Sequence, residues 1–369
     1  MKIKQLLYIM NWLLINNVFA LFSNNFIIAG EPQTPKNNVI EVYGHRGARS
    51  FAPENSIIGY KTALGIGVNW VDMDVGVTKD GDVIVYHDMW INSDFTSKDE
   101  IFLANSNQEF INKMGINKNQ LIKPYLLKNL TFKQLQSYDV GILNPNSSYK
   151  NYFENQYIVP GTKIPLLQDV INYVDKISNK EVMYQIEIKN DPNNPDYTIS
   201  STKFAKKIYN ILRKNNLINR AEIQAFDWNI LYEIQKLDKN IKTAYLISYD
   251  EIDYNDLSNF KSKGTWSGGK MLHDYNKSLP QMIKSLGGCC YEPEDIMLTK
   301  KDLDEAHKLG LKVVVWTWPE HSGKAFDPVL IDNLISWGVD GIITDDPARL
   351  NSMLAARGYK TPKNYSVNQ

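Results

Sequence analysis

The 369-residue chain has little of three things, and each scarcity excludes a class of protein. Cysteine occurs twice, at the adjacent positions Cys289 and Cys290. Adjacency excludes a framework stapling distant segments and a thiolate metal cage. The pair reads as small packed hydrophobes, with an adjacent-residue disulfide as the alternative in an oxidising compartment. Net charge is missing too: Lys+Arg and Asp+Glu each number 41. No overall field therefore favours nucleic acid or an anionic membrane surface, and a substrate must be recognised locally. Long apolar runs are also scarce. The one near the start, residues 6–15, is interrupted at Asn11 and falls short of the ~20 residues that cross a bilayer.

That short run follows Lys2 and Lys4 and precedes the small residues Ala20 and Ala29, the pattern of a secretory signal peptide over residues 1–30. Cleavage after either alanine leaves a mature chain with no stable membrane insertion, exported to the periplasm or secreted. Residues 31–369 are expected to form one domain. Hydrophobic residues at 43% and charged residues at 22% are close to the averages of chains that bury a real core, and an α/β barrel takes about 250 residues as a single unit.

The pattern along the chain alternates strand and helix. Val39 to Tyr43 is β-branched and ends at Gly44, residues 54–64 carry helical spacing, and Trp70 to Val75 forms a second strand. This is the parallel α/β unit. A short strand, Val83 to Tyr86, follows a Lys79-Asp80-Gly81-Asp82 turn. Residues 89–162, rich in Asn, Lys and Tyr, lose the alternation and are expected to be a helical or irregular insertion after the second βα region. Strand signals return at 182–188, 222–224, 243–247, 312–316 and 341–344, with helical segments between them, and 250–294 has no clear pattern. Repeated βα units without a glycine-rich dinucleotide fingerprint predict an α/β fold of the TIM (β/α)8 class.

Period-two spacing places Asp72 and Asp74 on one face of their strand, with Val71, Met73 and Val75 on the other. Two parallel buried carboxylates need a cation, a proton or a basic partner. Glu187 and Lys189 repeat the arrangement, so Asp72, Asp74 and Glu187 are candidate ligands of a divalent metal. An oxygen-only set suits Ca²⁺ first, with Mg²⁺ as the alternative. His45 and His87 each follow a strand, which is where barrel enzymes place their chemistry, and imidazoles exchange protons near neutrality. Arg46 and Lys189 offer cations for phosphate oxygens. His273, His307 and His321 carry no such context and are expected to be structural.

With these residues noted, the chain resembles a known family. His45-Arg46-Gly47-Ala48, Pro53-Glu54-Asn55-Ser56, Val71-Asp72-Met73-Asp74, Thr78-Lys79-Asp80-Gly81, His87-Asp88 and Glu187-Ile188-Lys189 resemble, in order and spacing, the glycerophosphodiester phosphodiesterases. The resemblance implies a TIM barrel that hydrolyses glycerophosphodiesters such as glycerophosphocholine to glycerol 3-phosphate and an alcohol. It implies acid/base roles for His45 and His87, a phosphate contact for Arg46, metal ligation by Asp72, Asp74 and Glu187, and further active-site positions at Glu54 and Lys189. One departure stands out: the family usually has glutamate where Asp72 stands, which shortens that ligand by about one methylene.

The expected mechanism is metal-dependent, with one histidine deprotonating a nucleophile and the other protonating the leaving alkoxide. The nucleophile is either water or the neighbouring glycerol hydroxyl. Trp316, with Trp318 and Tyr291, is a candidate substrate contact able to hold a choline ammonium through cation–π attraction; barrel packing is the alternative. Two rival functions are compatible: a same-fold phospholipase D-like or C-like enzyme acting on intact lipids, and a catalytically silent exported binding protein. The oligomeric state is not encoded in any pattern here.

Overall fold

A computed structural model describes residues 39–99, 101–102, 122–248, 264–319 and 323–366. The proposed leader and His321 lie outside the described residues. Eight strands run parallel: β1 Glu41–Gly44, β2 Trp70–Val77, β3 Met183–Ile188, β4 Ala221–Ala225, β5 Lys242–Ile247, β6 Cys290–Pro293, β7 Lys312–Trp316 and β8 Gly341–Thr344. Each pairs with the next, β8 pairs with β1 through Glu41↔Gly341, and β1 pairs with β2 through Tyr43↔Trp70. The sheet is therefore closed, as the repeated units predicted.

Each strand is followed by a helix: α1 Ile57–Ile66, α2 Leu167–Ser178, α3 Ser201–Lys214, α4 Trp228–Leu237, α5 Leu279–Ser285, α6 Lys300–Lys308, α7 Pro328–Trp337 and α8 Pro347–Ala356. Apolar spacing decides which face of each helix is buried. In α3, Phe204, Ala205, Ile208 and Leu212 pack inward, the stripe a 3.6-residue period produces. Ser56, Asp227, Ser278, Thr299, Asp327 and Asp346 accept backbone N–H groups at helix starts, each worth about 1 kcal/mol. These caps fix where six of the eight helices begin.

The barrel has two apolar layers. Outward-facing Val71, Met73, Val75, Ile186 and Ile188 meet the helices, while Tyr43, Trp70, Leu246, Val314, Trp316 and Ile343 fill the interior. Tyr291 is fully buried in the outer layer. This corrects its expected place at the substrate mouth: alternation along β6 turns Cys290 and Glu292 inward and Tyr291 outward. The unclear stretch 250–294 contains α5 and the whole of β6, which apolar spacing alone did not separate.

Between β2 and α2 the chain departs from the repeat. Val83–Val85 pairs antiparallel with β2. The described part of residues 89–162 carries 3₁₀ turns and the short helices Phe132–Leu135 and Tyr149–Tyr152. It gathers around Ile84, Tyr86, Ile91, Phe95, Leu127 and Leu135, a separate apolar cluster.

Candidate active site

At the C-terminal rim of the strands is a cavity of about 140 Å³ lined by His45, Arg46, Asp72, His87, Glu187, Lys189 and Trp316. Seven of the nine residues singled out in the sequence thus share one cavity. Asp74 and Glu54 lie behind the lining. Phe226, Leu246, Ser248, Glu294, Trp318 and Ile343 complete the wall. His273 and His307 lie elsewhere, His307 beside Asp340 on the outer surface.

His45 follows β1, its backbone N–H donating to the Thr344 carbonyl. Its Nδ1 lies 2.7 Å from Asp345 Oδ1. Asp345 also accepts two bonds from Arg49, at 2.8 Å from Nε and 2.9 Å from Nη2, the bidentate geometry that holds a carboxylate charged. The Arg49 guanidinium and His45 hold the Asp345 carboxyl well below its usual range despite burial. A charged Asp345 assigns the His45 proton to Nδ1 and leaves Nε2 for proton exchange. Burial, aided by Arg49 and Arg46 against the opposing pull of Asp345, lowers the His45 pKa to about 4. His45 is neutral at pH 7.

His87 is built alike. Its Nδ1 lies 2.8 Å from Asp88 Oδ1, and Asn92 Nδ2 donates to Asp88 Oδ2 at 2.5 Å. Burial, then Arg46 and Lys189, lower its pKa.

Arg46 adopts φ 51°, a left-handed conformation that costs a non-glycine residue about 1 kcal/mol or more and clusters at functional sites. Gly47 follows at φ 96°, where an added Cβ would stand 2.7 Å from the Gly59 backbone. The turn aims the Arg46 N–H at Asp72 Oδ2, 3.1 Å away. The side chain donates Nη1 to Glu54 at 2.8 Å and sets Nε 3.4 Å from Asp74. Glu54 is braced in turn by the Tyr149 hydroxyl, which also accepts from Arg49 Nη1 at 2.9 Å. Tyr149 belongs to the insertion, so that segment supports the Glu54 and Arg49 side chains.

Asp72, Asp74 and Glu187 meet neighbours of different kinds. Asp74 accepts from Asn55 Nδ2 at 2.7 Å and pairs with Lys189 Nζ at 3.1 Å. Lys189 Nζ is also 2.5 Å from Glu187 Oε1. With Lys189, His87 and Arg46 close by, Asp74 is held well below the usual carboxylate range although burial opposes this. Asp72 accepts from Gln224 Nε2 at 2.7 Å and from the Arg46 N–H. Burial and the adjacent Asp74 push its pKa up to about 7. Of the three, Asp72 is the carboxylate whose charge most lacks compensation. Lys189 stands between the other two, and the three do not close into one compact cluster. Among the described residues, the donors within 4.8 Å of one another are Glu222, Cys289 and Cys290.

Sequence reasoning missed Asp345, Arg49, Tyr149, Asn55 and Gln224. Asp345 had a usable signal, a carboxylate directly after strand β8. Tyr149 had none, lying in an aperiodic insertion 95 residues from Glu54.

Over residues 45–349 the chain matches the model of the glycerophosphoryl diester phosphodiesterase family. It is 23% identical over 323 residues to a glycerophosphodiester phosphodiesterase of Caldanaerobacter subterraneus, covering 86% of this chain and 98% of the relative. A Bacillus subtilis protein of the same name is 25% identical over 290 residues, covering 70% and 87%. A solved structure from Silicibacter pomeroyi matches with a TM-score of 0.71 at 25% identity, covering 88% of this chain and 95% of that one. An Oleispira antarctica phosphodiesterase in complex with sn-glycerol-3-phosphate matches with a TM-score of 0.56 at 17% identity, covering 85% and 96%.

Proposed function

The chain belongs to the glycerophosphoryl diester phosphodiesterase family, and from that premise we propose that it hydrolyses glycerophosphodiesters to glycerol 3-phosphate and an alcohol with a divalent cation and two histidines. The observation that carries this reading is the pair His45 and His87 on one cavity wall, each with Nδ1 on a carboxylate. That arrangement orients both rings and leaves both Nε2 atoms for proton transfer. One ring, neutral, takes the proton of the nucleophile, water or the glycerol hydroxyl, and the other, carrying a proton on Nε2, gives it to the departing alkoxide. Arg46 lines the cavity, and its buried Nε makes no hydrogen bond among the described residues, which suits a phosphate oxygen.

The donor set Asp72, Asp74 and Glu187 is all oxygen and suits a hard cation, Ca²⁺ first and Mg²⁺ second. The same reading accounts for Asp72, a buried carboxylate without an ion-pair partner among the described residues. When bound, the cation would supply Lewis-acid polarisation of the phosphate. Aspartate in place of the family's usual glutamate at position 72 would set the ligand back by one methylene. Phe226, Trp316 and Trp318 form an edge-to-face aromatic wall, a surface for the alcohol and, where it is choline, for its ammonium. Export through the residue 1–30 leader completes the proposal.

The test is release of glycerol 3-phosphate from glycerophosphocholine, compared with turnover of sphingomyelin vesicles. Turnover of the soluble diester supports the proposal. Exclusive turnover of vesicles would move it to the lipase-like reading, and inactivity on both would leave a binding protein.

A further inference from the structure

At the end of the barrel opposite the histidines, the first residues of several strands bring together groups that the hydrolytic site does not use. Glu222 is the second residue of β4, Cys290 begins β6, and Cys289 precedes it. A carboxylate oxygen of Glu222 and the two thiol sulfurs all lie within 4.8 Å of one another. Both cysteines are free thiols, Cys290 buried and Cys289 half-buried. Glu292, two residues along β6 and on the same inward face as Cys290, is fully buried. Its Oε1 accepts from Gln185 Nε2 at 2.6 Å, while its Oε2 has no partner.

We propose that Cys289, Cys290 and Glu222 form a second metal site at the base of the barrel, suited to a thiophilic dication of the Zn²⁺ class, with Glu292 and its unpartnered Oε2 as the fourth donor. Two sulfurs with oxygen donors in a small buried space match the tetrahedral preference of Zn²⁺ and its heavier congener Cd²⁺. They match Ca²⁺ and Mg²⁺ poorly, so the two sites of the molecule would select different ions.

The surrounding charges are compatible with such an ion. Lys312 Nζ lies 2.5 Å from Glu41 and 3.5 Å from Glu222, and Lys242 Nζ lies 3.8 Å from Glu222. Two lysines thus face two carboxylates, Glu41 and Glu222. Burial raises the Cys290 thiol and the Glu292 carboxyl well above their usual ranges. Entry of a dication with departure of both thiol protons leaves the net charge of the cluster unchanged, which is how thiolate sites form at neutral pH. Half-buried Cys289 provides the way in. The cysteine spacing by itself argued against any thiolate metal cage; the fold departs from that reading by adding a carboxylate from a strand 67 residues earlier.

The test is titration of the reduced, chelator-treated full-length protein with Cd²⁺, read by thiolate-to-cadmium charge-transfer absorption. One equivalent per chain should develop the band, and Zn²⁺ should remove it by competition. The oxygen-lined catalytic site cannot produce this band. Cys289→Ser and Cys290→Ser should each weaken or abolish it while leaving glycerophosphodiester hydrolysis at the parent rate. If Cys290→Ser does not fold, the half-buried Cys289→Ser carries the test. Absence of the band with both thiols reactive, or an equal band in the Cys289→Ser protein, would overturn the proposal.

Discussion

Replacing Asp345 by asparagine separates the stabilising and the orienting roles of one buried carboxylate. Asp345 is fully buried and accepts from Arg49 Nε, Arg49 Nη2 and His45 Nδ1 at 2.8, 2.9 and 2.7 Å. The amide keeps the shape but removes the charge that Arg49, 1% exposed, has paired against. What remains near that guanidinium is the Tyr149 hydroxyl, His45 Nδ1 at 3.2 Å from Nη2, the Phe153 ring, and Glu54 at 3.9 Å. Leaving a buried charge partly uncompensated costs roughly 3–5 kcal/mol. The asparagine can also present N–H to His45 Nδ1, which moves the imidazole proton to Nε2 and removes the lone pair that the proposed mechanism uses. In serine hydrolases the corresponding tautomer error costs about 10⁴-fold, which sets an upper scale here. Urea unfolding at pH 7 together with kcat/KM for glycerol 3-phosphate release reads both effects. An Asp345→Asn protein with parental midpoint and parental kcat/KM would refute the orientation argument.

Two further outcomes follow from the same pair of rings. His45→Ala and His87→Ala should each lower kcat/KM by ~10² to 10⁴, with the parent tracing a bell against pH; full activity in both variants would remove the histidines from the mechanism. Stability should also depend on pH through His45. Its folded pKa of about 4 lies below the ~6.5 of an unfolded histidine, so between these values the unfolded chain binds the extra proton. The His45 contribution is therefore complete above pH ~6.5 and lost as pH falls toward 4, by at most roughly 3 kcal/mol. His45→Gln should flatten that part of the profile in urea unfolding, and an unchanged slope would contradict the burial argument.

Much of this architecture was legible because it is local. Period-two alternation put Asp72 with Asp74 and separated them from Val71 and Met73, and a closed parallel sheet then required all strand ends to share one rim. His45, Glu187 and Lys189 were legible for that reason; His87 reaches the same rim from Val83–Val85, which runs antiparallel to β2. Asp345 and Arg49 were not, because the contact joining them spans 296 residues and depends on β8 closing against β1. The insertion resisted reading since its described part is held by side-chain pairs such as Tyr149 to Glu54 rather than by a periodic apolar face. Tyr291 was misplaced although the information was present: with Glu292 turned inward, its neighbour had to face the helices.

Hydrolysis is proposed to need a hard cation held by Asp72, Asp74 and Glu187. The direct measurement is glycerol 3-phosphate release from glycerophosphocholine by protein stripped with EDTA, then supplied with Ca²⁺ or Mg²⁺. Turnover should be lost on stripping and should recover with one of these ions in the parent but not in Asp74→Asn. Undiminished turnover by protein shown to be free of metal would contradict it.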